Sequence, residues 1–425
     1  MHLSLSPGSE PNPHALAALT KAGETYPIIA SQDIVDFRGV KLWARDQPVT
    51  AALQQRLLER RLQQPMEVCL QAEGGVTLFT LMHDLQEFIE SASPLAPAVK
   101  PWASVLVAQL KQIPLHSVAQ LLLTTTAATR PATLAHAVVG MALAGAMVAG
   151  HQGSAQDVRL AMLGGLLHDI GEVYINPLYL DYAQALDIIG HKHLVVHPRV
   201  AQMLLTTLTD YPTALGQAVA EHHERLDRSG YPARLGGDAV STLGRVLAVV
   251  EVTLGSLSAA HAPLTRASFA LRVVPGEFDP LWAAFVCDAA QGACEDFAGE
   301  SQPAAATLAA QLADIDHQLA EAHQLALELN EQRRTSKITE VVTDALHRLD
   351  RLRVAWNALG LWGVSDDNAA ADAGPSERLE LELAESELRQ RMRAFHRECL
   401  LLSEGLTEAE KFRLSPLWQG LLDAP

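Results

Sequence analysis

The stretch LLHDIGEVYINP, residues 166–177, decides the fold, together with short histidine-bearing motifs on either side of it. TLAHAVVG precedes it, and VVHPRV, AEHHERLDRSGYP and LAVVEV follow. These motifs contribute five histidines and two acids: His136, His168, Asp169, His197, His222, His223 and Glu251. Imidazole and carboxylate groups are common ligands of Zn, Mn and Fe, and an adjacent His-Asp pair lets one carboxylate bridge two ions. The set indicates a metal centre.

Each of these residues also has a simpler explanation when it is taken alone. A single histidine in an apolar helix is more often a core or surface residue than a ligand, and Asp169 could be only a helix cap. Burying so many titratable groups without partners is costly, whereas metal coordination satisfies them together. The ordered set therefore favours metal binding over a helical scaffold whose histidines never meet.

The motifs LLHDIGEVYINP, HP, HHERLDRSGYP and RVLAVVEV resemble, in this order, the HD-GYP branch of the HD superfamily of metal-dependent phosphohydrolases. The resemblance covers about residues 133–287 and implies a mainly α domain that binds two divalent ions, of Fe, Mn or Zn. It places His136, His168, Asp169 and Glu251 on one side of the site. It places His197, His222 and His223 on the other side, with Asp169 as the bridging, catalytic residue.

The resemblance also implies an activity, that of a phosphoric diester hydrolase acting on cyclic di-GMP or a related nucleotide. A hydroxide held between the ions would attack the phosphorus. The alternative is a catalytically impaired signalling or scaffold protein that acts through partner binding. By the same resemblance, the loop with Arg228, Gly230, Tyr231 and Pro232 contacts either the substrate or a protein partner.

Several features differ from the family pattern. Glu251 stands where relatives have Asp, which lengthens the carboxylate arm by one methylene. Glu172 replaces a Lys expected near the substrate phosphate, so we expect it to repel an anionic ligand. The stretch LSAAHAPLTRAS carries Arg266 as its one cation, where relatives have several basic residues. Arg228 could restore part of this positive charge near the entrance.

Composition limits the classes of partner. There are 32 Lys and Arg residues against 49 Asp and Glu residues, and the resulting net charge of −17 argues against nucleic-acid polymers and anionic membrane surfaces. The four cysteines are scattered, and the N-terminal sequence lacks a basic segment followed by an apolar one. The apolar stretch 137–150 is short for a bilayer and is expected to be a buried helix. We therefore expect a cytoplasmic protein.

Four regions are predicted along the chain. Residues 1–27 read as a loose leader, 28–87 as a small mixed α/β accessory module, 88–299 as the helical metal domain and 300–425 as a helical extension. The module is predicted to contain strands in SQDIVDFRGVKLW, a helix opened by Thr50 and two strands about Gly74 and Gly75.

The extension has the spacing of a coiled-coil seam and a linker near residues 363–376. The seam positions are Leu308, Leu312, Ile315, Leu319, Ala322, Ala326 and Leu329. An intramolecular helical hairpin and a homodimer both fit this pattern.

Overall fold

The computed structural model describes residues 9–58, 60–180, 187–259, 261–293, 305–331, 336–360 and 375–419. These residues are mainly α-helical, which confirms the predicted fold class. The chain divides into two compact units. The first comprises Met1–Arg225 and Gly230–Gly255, and the second comprises Leu226–Ser229 and Ser256–Pro425.

The first unit contains thirteen α-helices among its described residues, the last of which ends two residues beyond it. They are α1 (Pro13–Ala22), α2 (Ala51–Leu57), α3 (Met66–Cys69), α4 (Leu78–Ile89), α5 (Ala96–Val99), α6 (Ala103–Leu110), α7 (Ser117–Thr129), α8 (Pro131–Gly150), α9 (Ala155–Leu167), α10 (Ile188–Leu194), α11 (His197–Leu208), α12 (Thr213–Ala220) and α13 (Thr242–Leu257). Short 3-10 helices cover Lys100–Trp102, Ile170–Tyr174, Pro177–Tyr179 and Gly237–Ala239.

Four short strands form two antiparallel pairs in the same unit: β1 (Ile28–Ala30), β2 (Ile34–Val35), β3 (Lys41–Trp43) and β4 (Leu70–Ala72). Strand β1 pairs with β4, with Ile28 opposite Ala72, and β2 pairs with β3, with Ile34 opposite Trp43. The predicted strands of SQDIVDFRGVKLW are thus present, and α2 begins after Thr50 as expected.

Two local predictions in this region are wrong. The leader predicted for residues 1–27 contains α1, because the Asn12 side chain accepts hydrogen bonds from the amides of His14 and Ala15 and caps the helix. Its apolar face is buried, so the segment is part of the core; residues 1–8 lie outside the described residues. The second strand predicted after Gly75 is helix α4, which begins with a reciprocal capping box between Thr77 and Thr80.

The first unit packs the N-terminal elements against the central helices: α1, α3 and β4 all contact α7. The compact units therefore do not divide at residue 87, and the predicted domain boundaries stay predictions.

Helices α8 and α9 pack tightly against each other in the first unit. Gly140 and Gly165 face each other so tightly that a Cβ on Gly165 would lie 2.3 Å from the Gly140 carbonyl oxygen. Among the described residues, α8 alone is long and apolar enough to cross a membrane, and 61% of its most apolar window is buried within the protein. Glycine at this contact brings the two backbones together, and with them the histidines that the helices carry.

Among its described residues, the second unit consists of α-helices joined by loops, and it has a core of its own. Its helices are α14 (Pro263–Arg272), α15 (Pro280–Gly292), α16 (Ala305–Glu331), α17 (Ser336–Ala358), α18 (Pro375–Ser403), α19 (Glu408–Leu414) and α20 (Pro416–Gln419). All seven seam residues of α16 are buried in one apolar cluster with side chains such as Leu349 of α17 and Leu388 of α18. The seam is therefore filled within the chain, and a homodimer stays a prediction.

Two sequence features fall at or beyond the limits of the described residues. Positions 363–374 of the predicted linker lie outside them, as does Cys294. The other three cysteines, Cys69, Cys287 and Cys399, are free thiols.

Candidate metal centre

The seven predicted ligands come together in the first unit from five separate segments. His136 lies on α8, His168 and Asp169 follow α9, and His197 begins α11. His222 and His223 follow the end of α12, and Glu251 lies on α13. Because α12 ends at Ala220, these two adjacent histidines are released from the roughly 100° divergence that a regular helix imposes on neighbours.

The ligand atoms form two groups that share one residue, and within each group all of them lie within 4.8 Å of one another. One group contains Asp169, His197, His222 and His223, and the other contains His136, His168, Asp169 and Glu251. Each group could hold a metal ion. This division is the one that the family resemblance implies, and the role of each residue as a ligand stays a prediction.

Asp169 stands between the groups and turns one carboxylate oxygen toward each. Its Oδ1 lies 3.3 Å from Nε2 of His197 and 3.5 Å from Nε2 of His222. Its Oδ2 lies 3.1 Å from Nε2 of His168 and 3.7 Å from Nε2 of His136. A carboxylate placed in this way can bridge two ions, one on each oxygen.

Backbone carbonyls fix the orientation of three imidazoles. Nδ1 of His168 lies 2.9 Å from the oxygen of Gly165, that of His197 lies 2.7 Å from Leu194, and that of His222 lies 2.6 Å from Val219. A carbonyl oxygen can only accept, so each Nδ1 carries the proton, and in the neutral ring each Nε2 lone pair points into the centre. The three rings are thereby held in the orientation that the predicted metal ligation requires.

The close approach of these nitrogen lone pairs is unfavourable unless a cation lies between them. The Nε2 atoms of His197 and His222 are 3.2 Å apart, although the proton of each neutral ring is used at Nδ1. Oε2 of Glu251 is buried and has no hydrogen-bond partner, although it lies 3.4 Å from Nε2 of His168. Two facing lone pairs and an orphaned buried carboxylate oxygen are costly by themselves, and divalent ions satisfy both. The donor set fits two such ions.

The electrostatics keep both acids ionised. Burial works against the charged form of Asp169, but His168 and His197 outweigh it and hold the pKa of this carboxyl well below its ordinary value. Burial likewise opposes ionisation of Glu251, and the neighbouring imidazoles of His136 and His168 hold its pKa well below the usual range. Burial lowers the pKa of His222 and, with the charge of His222, that of His223 well below the ordinary value. The Asp169 carboxylate raises the pKa of His168 and His197 despite their burial. Metal binding requires ionised carboxylates and neutral imidazoles, so an ion that binds here displaces any proton held by these two rings.

The predicted loop closes over the His223 side of the centre. The Tyr231 ring stacks on that of His223, with centroids 4.4 Å apart and planes 21° apart. Gly230 lies so close to the preceding turn that a Cβ there would be 2.4 Å from the carbonyl oxygen of His223. Arg228 is exposed and belongs to the segment Leu226–Ser229 of the second unit. Of the predicted loop, Gly230 and Tyr231 thus contact the metal-site segment.

Sequence reasoning missed two buried acids, one that binds the chain directly after this loop and one that binds the residue before α13. The Glu224 carboxylate accepts hydrogen bonds from the amides of Ala233 at 2.6 Å and Leu235 at 2.8 Å. The Glu221 carboxylate accepts one from the amide of Ser241 at 2.9 Å. Both acids flank the His-His pair in EHHE, and this pattern in the sequence could have identified them.

Glu172 is buried and forms an ion pair with Arg130, whose Nη1 lies 2.6 Å from Oε2 of the acid. The expectation that Glu172 simply repels an anionic ligand is therefore incomplete, because a guanidinium offsets its charge. Arg130 is a further residue that sequence reasoning missed. Its separation of 42 positions from Glu172 gave no local signal.

Comparison with known proteins agrees with this geometry. Residues 120–268 match the model of the HD domain family. This match confirms the predicted resemblance for residues 120–268. No solved structure matches the chain significantly.

The chain is similar to several curated bacterial proteins. It is 31% identical over 87 residues to a 3'3'-cGAMP-specific phosphodiesterase of Vibrio cholerae, covering 20% of this chain and 19% of the relative. It is 34% identical over 107 residues to the cyclic di-GMP phosphodiesterase response regulator RpfG of Xanthomonas campestris, covering 25% and 28%. A cyclic di-GMP phosphodiesterase of Vibrio cholerae is 34% identical over 99 residues, covering 22% and 20%. The chain thus spans less than a third of the length of each of these relatives.

Glu251 offers a test of one ligand group without the other. We expect Glu251→Gln to weaken the binding of one ion by roughly 10- to 100-fold and to leave the second ion bound, because Glu251 lies in one group only. Elemental analysis after dialysis should show the metal content fall from two ions per chain toward one. Glu24→Gln, which changes an exposed acid of the first unit, is the matched control. Loss of both ions, or of neither, contradicts the assignment.

Proposed function

We propose that the chain is a metal-dependent phosphodiesterase that hydrolyses cyclic di-GMP or a related cyclic dinucleotide. The observation that carries this proposal is the arrangement of two ligand groups around the shared carboxylate of Asp169. Paired ions, when bound, make water a nucleophile near neutral pH and neutralise charge that develops on a phosphoryl group. The protein contributes the placement and protonation of the groups around them.

The surrounding residues have separate tasks in this proposal. Asp169 fixes the spacing of the two ligand groups, and the carbonyls behind His168, His197 and His222 fix the ring orientations. Stacking of Tyr231 on His223 covers that side of the centre and limits the access of bulk water. A preorganised site of this kind loses little energy to rearrangement when charge develops in the reaction.

The choice of substrate rests on the relatives. The three proteins described above are named for hydrolysis of cyclic di-GMP or of 3'3'-cGAMP, and both compounds are cyclic dinucleotides. A compact substrate with two phosphates suits a local cationic centre in a chain whose net charge is −17. We also propose that the protein is cytoplasmic and that the loop around Tyr231 is available to a protein partner. A homodimer through the C-terminal helices remains a further proposal.

Turnover by the purified full-length chain tests the proposed activity. The protein is loaded anaerobically with Fe²⁺ or with Mn²⁺ and incubated with cyclic di-GMP, 3'3'-cGAMP or bis(4-nitrophenyl) phosphate, and products are separated by chromatography. We expect metal-dependent hydrolysis of at least one cyclic dinucleotide. A preparation that holds two ions per chain and turns over none of these compounds contradicts the proposal. It would favour the alternative of a catalytically impaired signalling protein.

A further inference from the structure

Arg130 and Glu172 form an ion pair of which only the acid is fully buried. Arg130 directly precedes Pro131, the first residue of α8, and stands six positions before His136. Its partner Glu172 stands three positions after Asp169, in the 3-10 helix Ile170–Tyr174. Each member of the pair is therefore joined by a short length of regular backbone to a residue of the metal centre.

The 3-10 helix sets the direction of Glu172. The amide of Glu172 donates to the carbonyl of Asp169 at 2.9 Å, which closes one 3-10 turn between them. Side chains three positions apart in such a helix eclipse each other, about 6 Å apart along the axis. Glu172 thus lies on the same face as the bridging carboxylate, one turn farther on. This helix also lies against the start of α11, since a Cβ on Gly171 would be 2.1 Å from the carbonyl oxygen of His197.

The two partners differ in exposure. The Glu172 side chain is 3% exposed, whereas the Arg130 side chain is 27% exposed. An anion that approaches from solvent therefore meets the guanidinium, while the carboxylate is covered. A guanidinium carries five N–H donors in a planar fork and can bond to a carboxylate and a phosphate at the same time.

We propose that Arg130 binds the non-reacting phosphate of a dianionic cyclic dinucleotide, and that Glu172 is a positioning residue that holds the guanidinium toward the metal centre. This inference rests on the proposed function and assigns a substrate contact that the ligand set does not contain. One turn of 3-10 helix separates Glu172 from Asp169. We therefore expect the guanidinium that pairs with Glu172 to meet the second phosphate when the first lies at the metal centre.

Substrate charge provides the test. In the full-length Mn²⁺ protein, we expect Arg130→Ala to raise the KM for cyclic di-GMP roughly tenfold or more, because a charge-assisted hydrogen bond is lost. The KM for the monoanionic bis(4-nitrophenyl) phosphate should rise at least several-fold less. Arg130→Lys should recover only part of the difference, since an ammonium lacks the fork. Arg159→Ala, which removes an arginine bonded to Gln109 in the same unit, is the matched control.

Two further measurements separate this contact from a structural role. Calorimetric binding of cyclic di-GMP should weaken roughly tenfold in Arg130→Ala even if turnover is absent, so that the contact is tested apart from the activity. Glu172→Gln, which keeps a hydrogen-bond acceptor, should bind more tightly than Glu172→Ala. Equal effects of Arg130→Ala on both substrates, or unchanged binding of cyclic di-GMP, overturn the proposal. Thermal unfolding and metal content identify any variant that fails to fold.

Discussion

Asp169→Ala is expected to lose both metal ions and to lower kcat roughly a thousandfold or more. The physical reason is that the two oxygens of this carboxylate face different ligand groups, so that no neighbouring group can replace it. Removing it also leaves the buried His168 and His197 without the anion that raises the pKa of each. Elemental analysis and steady-state kinetics on one preparation measure both effects.

The control for Asp169→Ala is Asp210→Ala, which removes an exposed acid from the same unit. We expect this control to keep two ions and full activity. An Asp169→Ala protein that retains both ions at the affinity of the unaltered chain contradicts the bridging role.

Gly165→Ala is expected to lower the free energy of unfolding by about 1–3 kcal/mol and to disturb the metal centre as well. The added Cβ would lie 2.3 Å from the oxygen and 2.5 Å from the carbon of the Gly140 carbonyl, both of them backbone atoms of α8. The helices must move apart, and that movement separates Nε2 of His136 from Nε2 of His168, which are now 3.3 Å apart. We expect the ion held by His136 and His168 to be bound more weakly.

Gly255→Ala is the control for this substitution, because a Cβ there meets nothing within 4 Å. It should stabilise α13 by roughly 0.5–1 kcal/mol, the usual gain for alanine over glycine in a helix. Urea denaturation measures both changes. Gly165→Ala could prove as stable as the unaltered chain and hold both ions with equal affinity. That result would show that the close packing of α8 on α9 does not position the ligands.

The sequence predicted the mainly α fold and a set of residues that the structure brings together. These residues could be recognised because histidines and acids occur in a particular order along the chain. His136 and Glu251 are 115 positions apart, yet each stands in a recognisable motif. The α1 helix was missed because its proline and small residues resemble those of a loose segment, although Asn12 caps it. Helix α4 was missed because the apolar residues after Gly75 also fit a short strand.

Contacts between distant segments could not be predicted in the same way. The pairing of Arg130 with Glu172 depends on how α8 packs against the 3-10 helix after α9. The sequence around each residue does not indicate which residue it pairs with. The carbonyls that orient the imidazoles are backbone groups, which every residue type has, so the sequence does not identify them. The sequence therefore indicated which groups meet, whereas their orientation and charge balance required the structure.

Electron paramagnetic resonance of the Mn²⁺-loaded chain tests the central claim most directly, since it reports whether two ions share a ligand. With two equivalents of Mn²⁺ bound per chain, we predict an exchange-coupled spectrum that disappears in Asp169→Ala. A spectrum of isolated Mn²⁺ ions at full loading, or a chain that binds no metal ion, would contradict the account.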